Sequence, residues 1–302
     1  MSGVDLRRGG LALAVGALVS FATARAHAFC RTTTCDPKVE HCNKDSDGCV
    51  IEGKPLIWRE HCISFATQKD GSKQVPYAVA DGVFRAAFMQ WAQANCGGEH
   101  PSFEVWDVGP VECNEPEFND FLPNANVWMF RDDSWPYHDD TQTLALTTVL
   151  FERGSGVILD ADVEVNSHAM QITTGTTDVK RDLQSIATHE AGHFLGLSHT
   201  LVKGATMQAQ YTQGDLNYRS LSEDDRKAIC DAYPPNRVTP ICSKPTPAHG
   251  FSPYCFGGDS APKPPQGCSV DSRGGAGREP GAAFLVALSL AAFRRRRKRV
   301  SA

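Results

Sequence analysis

Three histidines and a glutamate fall within eleven residues in the second half of this 302-residue chain. His189 and His193 are four residues apart, so a helix places both imidazoles on one face, one turn apart. Gly196 can adopt the positive-φ conformation that ends a helix, after which the chain can return and deliver His199. Three protein ligands leave the fourth tetrahedral position of a zinc ion open for water, as in catalytic rather than structural zinc sites. Glu190 follows the first histidine and is placed to take a proton from that water.

The segments around this motif resemble the matrixin family of metzincin zinc metalloproteases, in its bacterial form. Met207 is similar to the methionine of the Met-turn, which lies beneath the metal in that family. Residues 221–233 resemble the final helix of matrixin catalytic domains, and residues 182–188 resemble the approach to the first zinc ligand. The resemblance covers about residues 56–236. It implies a zinc endopeptidase that hydrolyses peptide bonds of a protein or peptide substrate.

The resemblance also implies roles for residues outside the ligand set. Met207 would form an apolar floor for the histidine rings. Tyr211 matches a wall of the specificity pocket beyond the scissile bond, and Ser185 matches a position where a small side chain could leave that pocket deep. Residues 143–146 resemble the edge strand that pairs with extended substrate, although an ordinary strand explains them equally well.

The apolar pattern agrees with an alternation of strands and helices. Residues 78–95 predict an amphipathic helix that packs on a sheet. Strands are predicted at 62–66, 102–108, 125–131, 143–151 and 157–165. The zinc helix is predicted to begin after Thr177 or Asp178, and the last helix to open at Ser222 with a capping-box-like Asp225. A metzincin-like domain implies an α+β fold, with a twisted, mostly parallel mixed sheet, an antiparallel edge strand and three helices.

Both ends of the chain carry targeting features. Residues 1–28 have a basic start, a short apolar core and a small-x-small cleavage site, which predict a secretory signal peptide. Residues 268–302 contain a cysteine, a short apolar run and a basic cluster, and they resemble the MYXO-CTERM class of sorting tails. A permanent C-terminal anchor is the alternative. We therefore expect an exported protein at the cell surface or outside the cell, with membrane contact only through the tail.

These features divide the chain into five segments. They are a signal peptide (1–28), a Cys-rich N-terminal segment (29–55), a matrixin-like metalloprotease domain (56–236), a Pro-rich linker (237–267) and the sorting tail (268–302). The Cys-rich segment lacks a Pro-Arg-Cys-Gly-type switch peptide, which makes matrixin-style latency doubtful. A free cysteine of that segment could still bind the zinc and cause latency.

The cysteine content agrees with export. The chain has eleven cysteines, and setting aside Cys268 leaves enough for five disulfides. No Cys-x-x-Cys pair is present, so a second zinc site built from thiolates is disfavoured. Sequence alone does not determine the pairing, but the short loops Cys96 to Cys113 and Cys242 to Cys255 are natural guesses.

Metals other than the catalytic zinc have weaker support. Asp160, Asp162 and Glu164 alternate along one strand face and could bind calcium, but a solvated carboxylate stripe explains them at least as well. The structural zinc of animal matrixins needs several histidines and aspartates. Residues 138–140 offer one histidine and residues 157–165 offer none, so we expect a single zinc.

Charge and composition narrow the choice of partners. The full chain has a formal net charge of −5, and its basic residues concentrate at the two ends. The acidic body between them gives no electrostatic reason to expect nucleic acid. We expect a monomer.

Two other classes of function stay open. One is a non-catalytic, zinc-binding adhesin or binding protein at the cell surface, against which the presence of Glu190 argues. The other is a metallohydrolase acting on a small ester or amide, against which the predicted edge strand argues.

Overall fold

The computed structural model describes residues 29–37, 39–238 and 246–256. The predicted signal peptide and sorting tail lie outside these residues, as do Cys242 and Cys268. The main strands are β1 (Cys62–Gln68), β2 (Glu104–Val111), β3 (Val127–Phe130), β4 (Ala145–Phe151) and β5 (Ile158–Val165). The helices are α1 (Tyr77–Ala92), α2 (Leu183–Phe194) and α3 (Glu223–Ala232). No helix in the described ranges is long and apolar enough to cross a membrane.

The five strands form one mixed sheet in the order β2-β1-β3-β5-β4. Neighbours among the first four pair in parallel, and β4 pairs antiparallel with β5 at the edge. The predicted α+β fold, with its antiparallel edge strand and three helices, is confirmed. Each predicted strand is present with its ends within a few residues of those expected.

Aromatic side chains pack α1 between the sheet and α2. The Phe88 ring lies 4.8 Å from Phe65 of β1, 5.3 Å from Trp128 of β3 and 5.0 Å from Phe194 of α2. All four rings are buried, and burying each contributes on the order of 2 kcal/mol. The Trp91 Nε1–H donates to the Thr188 carbonyl at 2.8 Å, which joins α1 directly to α2. The helix that carries the first two histidines is therefore fixed by the core.

The predicted start of the zinc helix is wrong. Helix α2 begins at Leu183, and Asp182 caps it by accepting a hydrogen bond from the Ser185 N–H. Asp178 has a left-handed φ of 51° and belongs to a turn. That turn joins two short paired strands, β6 (Ile172–Thr173) and β7 (Arg181–Asp182). The residues expected to start the helix thus lie in the connection between these two strands, several residues before α2.

Four disulfides link described cysteines. They are Cys30–Cys49, Cys35–Cys42, Cys96–Cys230 and Cys113–Cys255. Cys62 is also disulfide-bonded. The expected short-loop pairs Cys96/Cys113 and Cys242/Cys255 are wrong, because the fold brings α3 beside the end of α1 and the segment 246–256 beside β2. The four cysteines of the N-terminal segment are all paired, so none of them is the free thiol that zinc-directed latency would need.

Residues 246–256, within the segment expected as a Pro-rich linker, pack against the sheet. Asn124 donates to the Ala248 carbonyl at 2.8 Å, and the Glu112 N–H donates to the Pro253 carbonyl at 2.7 Å. The Cys113–Cys255 disulfide fixes the same segment covalently. This part of the chain is thus attached to the five-stranded sheet.

The three carboxylates that alternate along β5 are buried. Asp160, Asp162 and Glu164 are at most 3% exposed, so the expectation of a solvated stripe is wrong. Glu164 accepts hydrogen bonds from Arg131, at 2.5 Å, and from the Tyr137 hydroxyl. The alternation of residues along a strand shows which side chains share a face, but it does not show whether other elements cover that face. The prediction that these carboxylates face solvent was wrong for this reason. Calcium binding by these residues stays a prediction.

Burial of Asp160 and Asp162 predicts that the stability of the folded protein depends on pH. Burial raises the pKa of Asp160 to about 7 and raises that of Asp162 as well. The folded protein therefore favours the protonated pair, and this stabilisation is lost as the pH rises from about 4 through about 7. Asp160→Asn keeps a hydrogen-bonding side chain without the charge. Relative to wild type, we expect its free energy of unfolding to gain on the order of 1–3 kcal/mol between about pH 5 and pH 8.

Urea unfolding of both proteins at the two pH values measures this change. Any pH dependence from the histidines is common to both proteins and cancels in the difference. Asp133→Asn is the control, because the Asp133 side chain is 88% exposed. An Asp160→Asn difference that does not vary with pH would contradict the prediction.

Candidate metal centre

Helix α2 and the turn after it bring the three motif histidines together. His189 and His193 lie one turn apart on α2 and are buried. Gly196 has a φ of 88°, as predicted, and a Cβ added there would lie 2.5 Å from the Leu56 carbonyl oxygen. Glycine is therefore required both by the left-handed backbone and by the close approach. The chain then returns to place His199 beside the other two rings.

The Nε2 atoms of the three histidines converge on one point. Their separations are 3.0 Å between His189 and His193, and 3.1 Å from His199 to each of the others. In the described part of the chain, they form the one group of three or more His, Cys, Asp or Glu residues close enough to share an ion. Burial lowers the pKa of His189 to about 4 and holds the pKa of the other two well below the usual value. All three imidazoles are thus neutral near pH 7, which is the form that binds metal.

The nitrogen arrangement fits a tetrahedral cation. The His189 Nδ1–H faces the Thr206 carbonyl at 2.6 Å, and the His193 Nδ1–H faces the Leu197 carbonyl at 2.9 Å. These bonds leave the Nε2 lone pairs pointing at one another, an arrangement that is repulsive without a cation between them. A zinc with bonds of about 2.0–2.1 Å needs ligand nitrogens about 3.3 Å apart, close to the observed separations.

The backbone that orients His189 is held by α3. Asp225 accepts hydrogen bonds from the N–H groups of Thr206, at 2.7 Å, and Met207, at 3.0 Å. The same carboxylate accepts a hydrogen bond from the Ser222 N–H, and the Ser222 hydroxyl accepts one from the Asp225 N–H. These two hydrogen bonds confirm the predicted capping box. The sequence identified Asp225 as a helix cap but not as the residue that fixes the turn around Met207.

Met207 packs against α2 at Gly192. It is 2% exposed, and a Cβ on Gly192 would collide with its sulfur and lie 2.9 Å from Cζ2 of Trp91. The absence of a side chain at position 192 therefore allows the Met207 turn to approach the helix.

Glu190 lies on the same helix with one carboxylate oxygen available. It is fully buried, and its Oε2 accepts a hydrogen bond from the Thr147 hydroxyl of β4 at 2.6 Å. Its Oε1 has no hydrogen-bond partner among the described residues. Burial raises the pKa of Glu190 to about 8, while the hydrogen bond from Thr147 lowers it. A divalent cation nearby would favour the ionised form, which can accept a proton.

Ser185 and Tyr211 meet at the start of α2 around Asp182. The Ser185 hydroxyl donates to the Asp182 carboxylate at 2.7 Å, and the Tyr211 hydroxyl accepts from the Asp182 N–H at 3.0 Å. Arg219 forms an ion pair with the same carboxylate at 2.5 Å. The structure thus brings the two predicted pocket residues together. No local signal in the sequence indicated Arg219, because it lies 37 residues from its partner.

The tight packing at Gly192 leads to a test with a matched control. Gly192→Ala would force Met207 and the rigid Trp91 ring away from α2, whereas a Cβ on Gly82 of α1 meets no atom within 4 Å. We expect Gly192→Ala to lower the free energy of unfolding by about 1–3 kcal/mol, as overpacking does, and to weaken zinc binding. Gly82→Ala should raise stability by up to about 1 kcal/mol through helix propensity. Thermal unfolding and zinc titration measure both effects, and equal behaviour of the two variants would contradict this interpretation.

Comparison with known proteins agrees with this geometry. Residues 122–234 match the Peptidase_M10 family model, described as matrixin. Human matrix metalloproteinase-26 is 24% identical over 197 residues, covering 64% of this chain and 66% of that protein. Metalloendoproteinase 1-MMP of Arabidopsis thaliana is 26% identical over 199 residues, covering 62% of this chain and 46% of that protein.

Over shorter stretches the percentage identity is higher. Human matrilysin is 33% identical over 101 residues, covering 33% of this chain and 35% of that protein. The chain spans less than two thirds of the length of each of these relatives. The matrixin family implies a catalytic zinc, and the three-histidine group is present to receive it. The fold, the histidine geometry and these matches support a matrixin-like metzincin.

Proposed function

We propose that this protein is a zinc-dependent endopeptidase in which Glu190 is the general base. The observation that carries the proposal is the position of Glu190 directly after His189 on α2, with Oε1 unpartnered among the described residues. A helix with the three histidines alone could serve a binding role. Glu190 is a buried carboxylate beside them, and it has no arginine or lysine partner among the ion pairs of the described residues. Such a carboxylate is suited to proton transfer.

The three histidines would hold zinc through their Nε2 atoms. Bound zinc would polarise the scissile carbonyl and lower the pKa of the attacking water towards neutrality. Glu190 takes the proton from that water and then passes it to the nitrogen of the leaving amine. The Thr147 hydroxyl, bonded to Oε2, fixes the rotamer of Glu190 so that Oε1 is the oxygen that exchanges the proton.

The substrate we propose is an extended polypeptide. Strand β4 ends the five-stranded sheet, so its outer backbone groups have no strand partner within that sheet. An extended chain can add to such an edge by backbone hydrogen bonds. The matched relatives carry the names of metalloproteinases, which supports peptide bonds over small esters. In this proposal Met207 supports the histidine rings from below, and Tyr211 and Ser185 line the pocket beyond the scissile bond.

We further propose that the enzyme works outside the cytoplasm as a monomer. The disulfides of the described residues suit an oxidising compartment. The signal peptide (1–28), the sorting tail (268–302) and the limits of the protease domain (56–236) remain parts of this proposal.

Glu190→Gln tests the general base. We expect kcat/KM on a fluorogenic casein to fall by about 10²–10⁴-fold, with the zinc content of the protein unchanged, because a neutral amide cannot take the proton. Residues 29–267 are purified in wild-type and variant form and assayed with and without a zinc chelator. Glu99→Gln is the control, since Glu99 is exposed and its carboxylate makes none of the hydrogen bonds described here.

The outcomes separate the classes of function. Activity lost both in Glu190→Gln and with chelator supports the endopeptidase. A folded, zinc-loaded wild-type protein that cleaves neither casein nor a small ester would favour the non-catalytic adhesin. Near-normal turnover by Glu190→Gln would remove Glu190 as the base.

A further inference from the structure

Residues 29–34, here called the N-terminal strap, pair with the turn that follows α2. The Thr32 N–H donates to the Gly196 carbonyl at 3.0 Å, and the Ser198 N–H donates to the Cys30 carbonyl at 3.0 Å. These two bonds form an antiparallel bridge. The turn they hold is the one that connects the second and third histidines of the motif. A segment more than 150 residues away in sequence thus holds the turn between two of the motif histidines.

The strap contacts the peptide group that orients His193. The Leu197 carbonyl accepts the His193 Nδ1–H at 2.9 Å and also the Thr32 hydroxyl at 3.0 Å. The N–H of that peptide group is the Ser198 N–H, which donates to Cys30. The peptide between Leu197 and Ser198 is therefore held at both its oxygen and its nitrogen by the strap. Thr32 is 3% exposed, so water does not substitute readily for its hydroxyl.

The other helical histidine has an equivalent arrangement. The Thr206 carbonyl accepts from His189 Nδ1 at 2.6 Å, and the N–H of the same peptide, from Met207, donates to Asp225 at 3.0 Å. Each helical imidazole is thus oriented by a carbonyl whose peptide is fixed by a separate element. For His189 that element is α3, and for His193 it is the strap.

The strap is itself anchored on its other side and by a covalent link. The Leu56 N–H donates to the Thr32 carbonyl at 2.8 Å, and the Arg31 guanidinium donates to the Leu56 carbonyl at 2.8 Å. The buried Cys30–Cys49 disulfide supplies a second attachment. A short segment near a chain terminus frays readily unless it is tied down, and the disulfide provides that tie.

We propose that Thr32 is a positioning residue for the metal ligand His193, and that the disulfide-linked strap is a permanent part of the metal centre rather than a removable inhibitory segment. This inference rests on the proposed zinc site. Release of the strap would leave the Leu197–Ser198 peptide without two of its three hydrogen bonds and would expose the buried turn. An inhibitory prosegment must leave to give activity, whereas loss of this strap would weaken the site.

Thr32→Val tests the proposal, because it removes the hydroxyl and keeps the shape of the side chain. Outer partners of metal-bound histidines usually change metal affinity by 10–100-fold, and we expect the zinc Kd to rise by about tenfold. Competition with a chelating dye measures the Kd in the purified protein. Thr32→Ser keeps the donor and should stay within about twofold of wild type.

Thr34→Val is the matched control within the strap. Its hydroxyl accepts from the Lys54 N–H at 3.0 Å and does not contact the turn after α2. We expect its zinc Kd to stay within about twofold of wild type. The visible spectrum of the cobalt-substituted protein gives a second readout, because it depends on the geometry of the ligands. We expect this spectrum to change in Thr32→Val and not in Thr34→Val.

A pair of disulfide variants keeps the test decisive if Thr32→Val folds poorly. Replacing Cys30 and Cys49 by serine should raise the zinc Kd, whereas replacing Cys35 and Cys42 by serine should not, because that loop lies outside the strap contacts with the turn.

The outcomes distinguish this inference from the proposed function. A wild-type protein that binds no zinc overturns the zinc site itself. If the wild-type protein binds zinc and cleaves casein, but Thr32→Val leaves the zinc Kd and the cobalt spectrum unchanged, then the role of Thr32 is overturned. The proposed function is not affected by that result. Equal weakening in Thr32→Val and Thr34→Val also overturns it, because the effect would then be general loosening of the strap.

Discussion

The metal centre depends on one unfavourable approach: three neutral imidazole nitrogens lie within 3.1 Å of one another in a buried site. Their lone pairs repel, and burial prevents protonation from relieving the crowding. The surrounding structure must therefore hold the rings by their other nitrogens. Backbone carbonyls at Leu197 and Thr206 do this for the two helical rings, while the Nδ1 of His199 has no partner among the described residues.

The core is arranged to keep α2 in place. Trp91 joins α1 to α2 by a hydrogen bond, and Gly192 lets Met207 approach the helix beside Trp91. The Cys96–Cys230 disulfide ties the loop after α1 to α3, whose first turn carries Asp225. Each of these contacts acts on α2 or on α3, which fixes the backbone that bonds His189. Packing, disulfide bonding and capping therefore act together on the metal centre.

Buried polar groups extend well beyond the histidines. Asp182 joins the start of α2 to Arg219, and Glu164 joins β5 to Arg131. In both cases an acidic side chain forms an ion pair with an arginine from a segment that connects the main helices and strands. Such pairs cost desolvation but fix the loops relative to the sheet and to α2.

Features that depend on near neighbours in the chain were predictable from the sequence. The spacing of His189 and His193, the left-handed Gly196 and the Ser222 cap are local signals, and the strands follow from local apolar patterns. Tertiary structure alone decided the disulfide pairing, the burial of Asp160 and the contact of Thr32 with Leu197. These join residues that are distant in sequence, such as Cys96 and Cys230, 134 residues apart. Local periodicity identifies the faces of helices and strands, but the partner that covers each face is set by the packing of the whole chain.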